Sequence, residues 1–310
     1  MKNHTNTDHD IIIAGAGPAG LTAGIYAGRA GLNVLILEKE APGGKVIKTG
    51  EIENYPGFTN INGPDLAMNF YEQAMAMGAQ LEYSGLKQFD KVDDIFKVSL
   101  ENGKEITSKA LIIATGTKEN LLGVPGEGDL YGKGVSYCAV CDGSFYKEMP
   151  VAVVGGGYSA VEEAIFLTRF ASKVYLIHRR EEFRVDNKTL DKAKSNPKIE
   201  FILNTTVEKI NGSNKVESVD IINLNGEKTN LTVDAIFPFI GQYPITEFIN
   251  HKDILNDERH IKADENMKTS VEGLFVAGDV RVTPFRQIAT AVSDGALAGQ
   301  NAVYYIENLD

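Results

Sequence analysis

Residues 10–38, DIIIAGAGPAGLTAGIYAGRAGLNVLILE, carry the clearest indication of the fold, because they contain a predicted strand, a glycine-rich turn, a helix and a second strand in direct succession. The apolar run at residues 10–14 predicts a buried strand, and residues 21–30 predict a helix. A second apolar run at residues 34–37 ends at the acid Glu38. This order is typical of a dinucleotide-binding βαβ unit with a parallel sheet.

Each glycine of the turn is required for a different structural reason. Gly15 allows the tight turn, Gly17 lets the backbone approach a pyrophosphate, and Gly20 lets the helix pack on the strand. The N-terminus of the helix then offers N–H groups to the phosphates. Glu38 is placed to accept a hydrogen bond from a ribose 2′-hydroxyl. The alternative is a plain glycine turn without a ligand, which the flanking strands and the acid disfavour.

A second copy of this unit begins with the apolar strand at residues 151–154. It continues with GGGYSA at residues 155–160, the form of the motif that ends in alanine. Residues 161–170 then predict a helix and residues 173–177 a strand. The chain therefore carries two nucleotide-binding signatures.

The second unit has basic residues at the position that corresponds to the acid of the first unit. At the spacing that places Glu38, the second unit has His178-Arg179-Arg180, with Arg184 close behind. A carboxylate at this position favours a bare ribose, whereas cations favour a ribose 2′-phosphate. The first unit therefore predicts FAD and the second NADPH. The alternative is a basic surface loop that neighbouring glutamates neutralise.

Later strands that close on glycine extend the repeat. ALIIATG at residues 110–116 resembles AIFPFIG at residues 235–241, and each comes late in its unit. A third such strand, at residues 274–278, follows the second unit. Asp279 comes next and is expected at a nucleotide or at a helix N-cap, roles that are compatible. The second unit is therefore inserted into the first.

The predicted fold class is α/β, with two Rossmann-like FAD/NAD(P)-binding domains and the NADPH domain inserted into the FAD domain. The expected FAD-binding domain is discontinuous and comprises residues 1–117 and 246–310. The expected NADPH-binding domain comprises residues 118–245.

Cys138 and Cys141 are the only cysteines in the chain, and they lie three positions apart. This spacing lets one sulfur reach the other across a single turn, and such a pair can cycle between dithiol and disulfide. In a reducing compartment the pattern is more often catalytic or metal-binding than structural. A zinc site needs four ligands, and the histidines are dispersed along the chain, so no metal is expected.

Composition narrows the possible partners. The formal net charge of -11 argues against nucleic acid and anionic membranes, since phosphates would be repelled. No apolar run approaches the roughly 18 residues of a membrane span. Residues 1–10 are polar and lack the apolar core of a signal peptide, so a cytoplasmic location is expected.

Together these motifs resemble the low-molecular-weight, bacterial-type thioredoxin reductases, over nearly the whole chain. The matching segments are GAGPAG at 15–20, GG at 43–44, ENYPGF at 53–58, ATG at 114–116, VPGE at 124–127, CAVCDG at 138–143, HRR at 178–180 with Arg184, and GDV at 278–280 with Arg286 and Gln287. The resemblance implies a homodimeric enzyme in which NADPH reduces FAD, FAD reduces the Cys138–Cys141 disulfide, and the dithiol reduces thioredoxin.

The resemblance also implies roles for individual residues. Cys141 faces the flavin, Cys138 is the interchange thiol, and Asp142 is the acid that protonates the departing thiolate. The alternative for Asp142 is an ordinary turn residue. The expected FAD contacts are Gly15, Gly17, Pro18, Ala19, Gly20, Glu38, Gly43, Gly44, Asn54, Ala114, Thr115, Gly116, Gly278, Asp279, Arg286, Gln287 and Ile288. The expected NADPH contacts are Gly155, Gly156, Gly157, Tyr158, Ser159, Ala160, His178, Arg179, Arg180, Arg184 and Gly241.

Two positions depart from the family pattern. Lys45 stands where the family has Gln, and its cation either favours a reduced, anionic flavin or points to solvent. Tyr158 replaces a small polar residue and either covers or crowds the nicotinamide side. Related flavoproteins that reduce another thioredoxin-like protein or a peroxiredoxin-system protein, and dithiol oxidases, share this scaffold and remain as alternatives. Domain rotation is implied, with hinges near residues 117–120 and 242–246.

Overall fold

The computed structural model of the chain describes residues 7–49 and 51–309. Residues 1–6, which belong to the polar N-terminus considered above, lie outside the described residues. The helices are α1 (Pro18–Arg29), α2 (Gly63–Ala76), α3 (Ala139–Asp142), α4 (Tyr158–Leu167), α5 (Asn187–Lys194) and α6 (Ile288–Glu307). Short 3₁₀ turns occupy Gly44–Lys48, Gly143–Tyr146, Lys252–Ile254 and Gly278–Val280.

The strands follow in chain order. They are β1 (His9–Ala14), β2 (Val34–Leu37), β3 (Glu51–Ile52), β4 (Ile61–Asn62), β5 (Gln80–Glu82), β6 (Leu86–Val92), β7 (Ile95–Leu100), β8 (Glu105–Ile113), β9 (Thr117–Glu119), β10 (Pro150–Val154), β11 (Lys173–Ile177), β12 (Ile199–Ile202), β13 (Thr205–Asn211), β14 (Ser218–Asn223), β15 (Lys228–Thr232), β16 (Ala235–Pro238), β17 (Gln242–Pro244) and β18 (Leu274–Val276).

The chain divides into two compact units. The first runs up to Lys118 and resumes at Tyr243, and the second is Glu119–Gln242. The chain therefore crosses between the units within β9 and at the start of β17. The second unit interrupts the first in sequence.

The first unit is built on a seven-stranded sheet with the order β5-β2-β1-β8-β7-β6, and β18 also pairs with β8. Strands β5, β2, β1, β8 and β18 are parallel to one another, whereas β7 pairs antiparallel with β8, and β6 antiparallel with β7. Side chains of β1 alternate between two cores: Ile11 and Ile13 join the core of α1, α2 and α6, while Ile12 and Ala14 join the core on the other face. Burial of both faces explains why residues 11–14 of β1 are all apolar.

The second unit repeats this plan on a smaller scale. Its parallel sheet has the order β12-β11-β10-β16, and a separate antiparallel sheet has the order β13-β14-β15. Val151 and Val153 pack in the core with α4, while Ala152 and Val154 join the core that includes the antiparallel sheet. The predicted α/β fold class, with a βαβ unit around each glycine motif, is confirmed.

Two helices begin earlier in the chain than the sequence predicts. Helix α1 begins at Pro18 rather than at residue 21, because proline at the first helical position has its φ preset for the helix. Helix α4 likewise begins at Tyr158 rather than at residue 161. Within residues 7–49 and 51–309, none of the helices combines the length and apolarity that a membrane span requires.

Candidate functional site

The glycine turn after β1 is tightly packed on one side and open on the other. A Cβ on Gly20 would lie 1.8 Å from the carbonyl oxygen of Gly15, and a Cβ on Gly15 would lie 2.4 Å from that of Ala114. A Cβ on Gly17 would meet nothing within 4 Å. Gly15 has a φ of +105°, which favours glycine. The turn therefore requires glycine where it packs and leaves space at Gly17, where a phosphate is expected.

The helices behind the two glycine motifs have no side-chain caps. Gly17 is the N-cap of α1 and Gly157 that of α4, and among the described residues no side chain caps the N-terminus of either helix. By contrast, Asn62 caps α2 and Asp186 caps α5, each by accepting a backbone N–H at about the ordinary 3.0 Å. Free N–H groups at a helix N-terminus are a ready site for a phosphate. Both motifs therefore fit a pyrophosphate.

Two segments close around the first turn. Glu38, at the end of β2, accepts the N–H of Ala16 at 3.0 Å through one oxygen. The N–H of Gly43 donates to the carbonyl oxygen of Ala16 at 2.7 Å. A Cβ on Gly44 would lie 3.2 Å from the Cα of Gly17. The acid and the glycine pair expected at FAD therefore lie at the same turn; Pro18 and Ala19 form the first turn of α1.

Lys45 points inward rather than to open solvent. Its half-buried Nζ donates to the hydroxyl of Thr117 at 2.8 Å. Thr117 directly follows Gly116, at the carboxyl end of β8, and the Thr115 hydroxyl donates to the carbonyl of Ile245 at 2.7 Å. The N–H of Ala114 is bonded to β1. The ammonium group therefore lies at the edge of the sheet where ligands of such folds bind.

Residues that are far apart in sequence meet at the start of α6. The Asn54 amide donates to the side-chain oxygen of Gln287 at 3.2 Å. Gln287 is the N-cap of α6 and exchanges hydrogen bonds with Thr290 in a capping box, and Ile288 is the first helical residue. Asp279, which the sequence offered as a helix N-cap, instead lies in the Gly278–Val280 turn.

Arg286 has an unused donor. Its Nη2 donates to Nε2 of His260 at 3.0 Å, so the imidazole accepts there and is neutral. Burial, and then the charge of Arg286, lower the pKa of His260. The Nε of Arg286 is buried and has no hydrogen-bond partner among the described residues. Because orphaned buried donors are rare, this N–H fits an acceptor from a bound group.

The second glycine turn rests on a histidine. A Cβ on Gly156 would lie 2.1 Å from the ring of His178, and the Nε2 of His178 donates to the Glu182 carbonyl at 3.1 Å. Burial, and then the three nearby arginines, lower the pKa of His178. The neutral, buried ring supports the turn from below. Gly155 approaches the carbonyl of Phe239, while Ala160 is buried, Ser159 is exposed and Gly241 has a φ of +106°.

Three exposed guanidinium groups lie beside this turn. Arg179, Arg180 and Arg184 are exposed, and among the described residues none of their side chains has an ion-pair or hydrogen-bond partner. The N–H of Arg184 donates to the carbonyl of Gly156 at 2.7 Å, which ties the basic segment to the glycine turn. Among the described residues, the neighbouring glutamates therefore form no ion pair with these arginines.

Tyr158 also belongs to this edge. Its hydroxyl accepts the N–H of Asp186 at 3.1 Å, so the ring bridges the first residue of α4 and the N-cap of α5. The side chain is 48% exposed, which leaves much of the ring available. Tyr158 is thus anchored at its tip.

Cys138 and Cys141 form a disulfide at α3, with Cα atoms 5.3 Å apart. Cys138 is the N-cap of α3, and its sulfur accepts the N–H of Cys141 at 3.2 Å. A backbone donor and a helix N-terminus both favour negative charge on this sulfur once the pair is reduced. Both cysteines are half-buried and are the only cysteines of the chain.

Asp142 ends α3 directly after Cys141. Burial raises the pKa of its carboxyl, and a hydrogen bond from Ser136 partly offsets that rise. The hydroxyl of the buried Ser136 also accepts the N–H of Cys138 at 3.1 Å. The hydroxyl of Ser136 therefore bonds the backbone of the first cysteine and also lowers the pKa of the acid. Sequence reasoning missed Ser136, and its only signal was its place two residues before Cys138.

The expected site residues therefore form two sets, one on each unit. Within residues 7–49 and 51–309, no group of His, Cys, Asp and Glu side chains is arranged to hold a metal ion. Each set is built from a glycine turn, an uncapped helix and a charged strand end. The second set lies on the unit that also carries the disulfide.

Comparisons with known proteins agree with this chemistry. A family model described as pyridine nucleotide-disulphide oxidoreductase matches residues 9–295. Thioredoxin reductases from Bacillus subtilis and Listeria monocytogenes are 44% and 45% identical over 303 residues, which cover 97% of this chain and 96% and 95% of theirs. A crystal structure of thioredoxin reductase from Streptococcus pyogenes has a TM-score of 0.93 and 44% identity, covering 98% of this chain and all of that one. The chain therefore belongs to the pyridine nucleotide-disulphide oxidoreductase family, among the bacterial-type thioredoxin reductases.

Proposed function

We propose that this oxidoreductase is an NADPH-dependent thioredoxin-disulfide reductase. One turnover consumes NADPH and a proton and converts the disulfide of thioredoxin into a dithiol. The observation that carries the proposal is the Cys138–Cys141 disulfide, on the same unit as the second glycine turn and the free arginines. The names of the relatives support it, since they are thioredoxin reductases.

The family uses a flavin and a pyridine nucleotide, and we infer that these are FAD and NADPH. Glu38 at the first turn supports a nucleotide with a bare ribose. The unpaired Arg179, Arg180 and Arg184 support a 2′-phosphate at the second turn. We assign the first unit to FAD and the second to NADPH, with the contacts that the sequence predicts. When bound, the flavin supplies a two-electron relay between the nicotinamide and the disulfide.

The thiol chemistry follows from α3. After reduction, the Cys138 thiolate, which the Cys141 N–H stabilises, attacks the disulfide of thioredoxin and forms a mixed disulfide. Cys141 then displaces thioredoxin and restores the ring. Asp142 gives a proton to the departing thiolate, a task that its raised pKa suits because it keeps the carboxyl protonated closer to neutral pH.

Alternating access is part of the proposal. The flavin unit and the dithiol unit are joined by two chain crossings, at Lys118 and at Gln242. We expect rotation at these crossings to alternate the nicotinamide and the cysteines at the flavin. Lys118→Pro should slow turnover without releasing FAD, and unchanged turnover in steady-state assays would count against the rotation.

The remaining assignments are the partner, the assembly and the location. We propose thioredoxin as the protein substrate, a homodimer as the working state and the cytoplasm as the location. A dithiol–disulfide pair that serves catalysis fits a reducing compartment. Sedimentation of the flavin-loaded protein tests the homodimer, and a purely monomeric species would refute it.

The decisive experiment is an anaerobic titration of the yellow protein with NADPH. Flavin absorbance should bleach, and added thioredoxin should then be reduced. Cys138→Ser and Cys141→Ser should each abolish thioredoxin reduction while NADPH still bleaches the flavin. Thioredoxin-like and peroxiredoxin-system proteins belong in the panel, and oxygen consumption without any protein substrate would instead indicate a dithiol oxidase. A protein that stays oxidised in NADPH would overturn the proposal.

A further inference from the structure

A largely buried ion pair lies behind the Gly278–Val280 turn, with the Arg281 side chain 18% exposed. Asp294, on α6, is 6% exposed and receives the guanidinium of Arg281 in a bidentate arrangement, with N···O distances of 2.7 and 2.9 Å. The oxygen that accepts the Arg281 Nε also accepts the N–H of Gly278 at 3.2 Å. The remaining Nη1 of Arg281 donates to the carbonyl of Val282 at 2.9 Å. One carboxylate therefore organises both ends of the turn.

The position of Asp279 follows from this arrangement. Asp279 lies between Gly278, which donates its N–H to Asp294, and Arg281, which donates its guanidinium to the same group. Gly278 has a φ of +77°, and a Cβ there would lie 2.9 Å from the Cβ of Ala19 at the start of α1. The turn is thus packed against the helix that follows the first glycine motif, and Asp294 fixes it from the other side.

Stability alone does not account for such a pair. A buried ion pair often contributes little net stability, because the desolvation of two charges offsets their attraction. Replacing both partners with apolar residues of similar volume is often neutral. Apolar replacements cannot reproduce the hydrogen-bond geometry of the turn. The carboxylate of Asp294 accepts the Gly278 N–H and the Arg281 guanidinium at the same time.

We propose that Asp294 and Arg281 are positioning residues for the flavin nucleotide, acting through the Gly278–Asp279 turn. This inference rests on the proposed FAD site of the first unit. The pair does not touch the nucleotide in this scheme. It sets the backbone that presents Asp279, and its loss lets the turn move while the fold persists.

The test is the double variant Asp294→Leu/Arg281→Met of the flavin-loaded protein. Flavin released on dilution is followed by its fluorescence, and global stability by urea unfolding. We expect the FAD dissociation constant to rise on the order of tenfold or more, the factor for one lost hydrogen bond to a charged group. The free energy of unfolding of the flavin-loaded protein should fall by no more than weaker FAD binding explains, about 1.4 kcal/mol for each tenfold rise in the dissociation constant. FAD affinity equal to that of the wild type would overturn the proposal.

A second pair in the same unit provides a matched control. Lys109 and Asp10 lie 2.8 Å apart at the amino end of the parallel strands, away from the nucleotide edge. Lys109→Met/Asp10→Leu should leave FAD affinity unchanged, and equal loosening in both double variants would refute a specific positioning role.

Two further outcomes are also decisive. If Asp294→Leu/Arg281→Met does not fold, Asp294→Asn replaces it, since it keeps an acceptor for Gly278 but removes the ion pair. Weakened FAD binding in a stably folded Asp294→Asn supports the proposal, and unchanged binding refutes it. A wild-type protein that binds no FAD would overturn the proposed function, and this inference with it.

Discussion

Replacing single arginines beside the second glycine turn should change the choice of coenzyme. Arg179, Arg180 and Arg184 are exposed and unpaired among the described residues, so Arg→Gln there removes no internal contact and leaves no buried charge alone. A hydrogen bond to a charged group is worth roughly 1.5–3 kcal/mol. Because these groups are solvated, we take the lower end, which at about 1.4 kcal/mol per factor of ten is about 13-fold.

The assay compares kcat/KM for NADPH and for NADH in each of the three single variants. We expect the value for NADPH to fall by about 13-fold where the arginine bonds the 2′-phosphate, while NADH, which lacks that phosphate, is almost unaffected. Binding of 2′,5′-ADP should weaken in parallel, and its salt dependence should decrease. Lys188→Gln is the control, since it removes an exposed charge on α5 in the same unit.

The reasoning fails if the NADPH/NADH ratio of all three variants stays at that of Lys188→Gln. It also fails if both coenzymes lose the same factor, because that would indicate a general change of the turn rather than loss of a phosphate contact. Thermal unfolding should stay near the wild-type value, as expected for exposed substitutions.

Three other outcomes follow from the same structure. Asp142→Asn should slow thioredoxin reduction by about 10²–10⁴-fold and leave anaerobic flavin reduction intact, and stopped-flow absorbance separates these two steps. The variant should also lack the decline in rate that the wild type shows as pH rises through the pKa of Asp142. Gly20→Ala places a Cβ 1.8 Å from the Gly15 carbonyl oxygen and should yield protein without flavin. The control Gly128→Ala, whose Cβ meets nothing within 4 Å, should retain the flavin. The ratio of visible to ultraviolet absorbance measures the flavin content of each variant. Burial lowers the pKa of His178 from its ordinary value of 6.5. Its contribution to the free energy of unfolding is therefore complete above pH 6.5 and is lost as pH falls from 6.5 to the lowered pKa of the folded state, by at most about 1.4 kcal/mol per pH unit. Urea unfolding from pH 8 to pH 5 should show a weaker pH dependence in His178→Gln, and identical slopes would refute the assignment.

Much of the candidate site was predictable because its parts are local. A strand, a turn and a helix in direct succession can be recognised from the period of apolar residues and from glycines that backbone geometry demands. The spacing of Cys138 and Cys141 similarly permits a disulfide within one turn, and the structure contains it. Which residues contact FAD and NADPH stays a prediction, supported by the uncapped helices.

Other features could not be read from the chain because they depend on distant contacts. Asn54 donates a hydrogen bond to Gln287, which lies 233 positions away, and neither segment contains a pattern that predicts this contact. Lys45 was open to two interpretations until its contact with Thr117 placed it at the sheet edge. His178 was grouped with the arginines by spacing, yet it is a buried, neutral support under Gly156.

The amino-acid sequence alone predicted two glycine-led nucleotide-binding units, one nested in the other, and a redox pair within the inserted unit. It could do so because strand period, turn glycines and cysteine spacing act over a few residues. Three features required the folded chain: Ser136 bonds the backbone of Cys138 and lowers the pKa of Asp142, Arg286 has a buried Nε without a partner among the described residues, and Asp294 bonds Gly278 beside Asp279. Those features arise from burial and from hydrogen bonds that only the folded chain brings together, since desolvation and partner geometry are set by the whole packed unit.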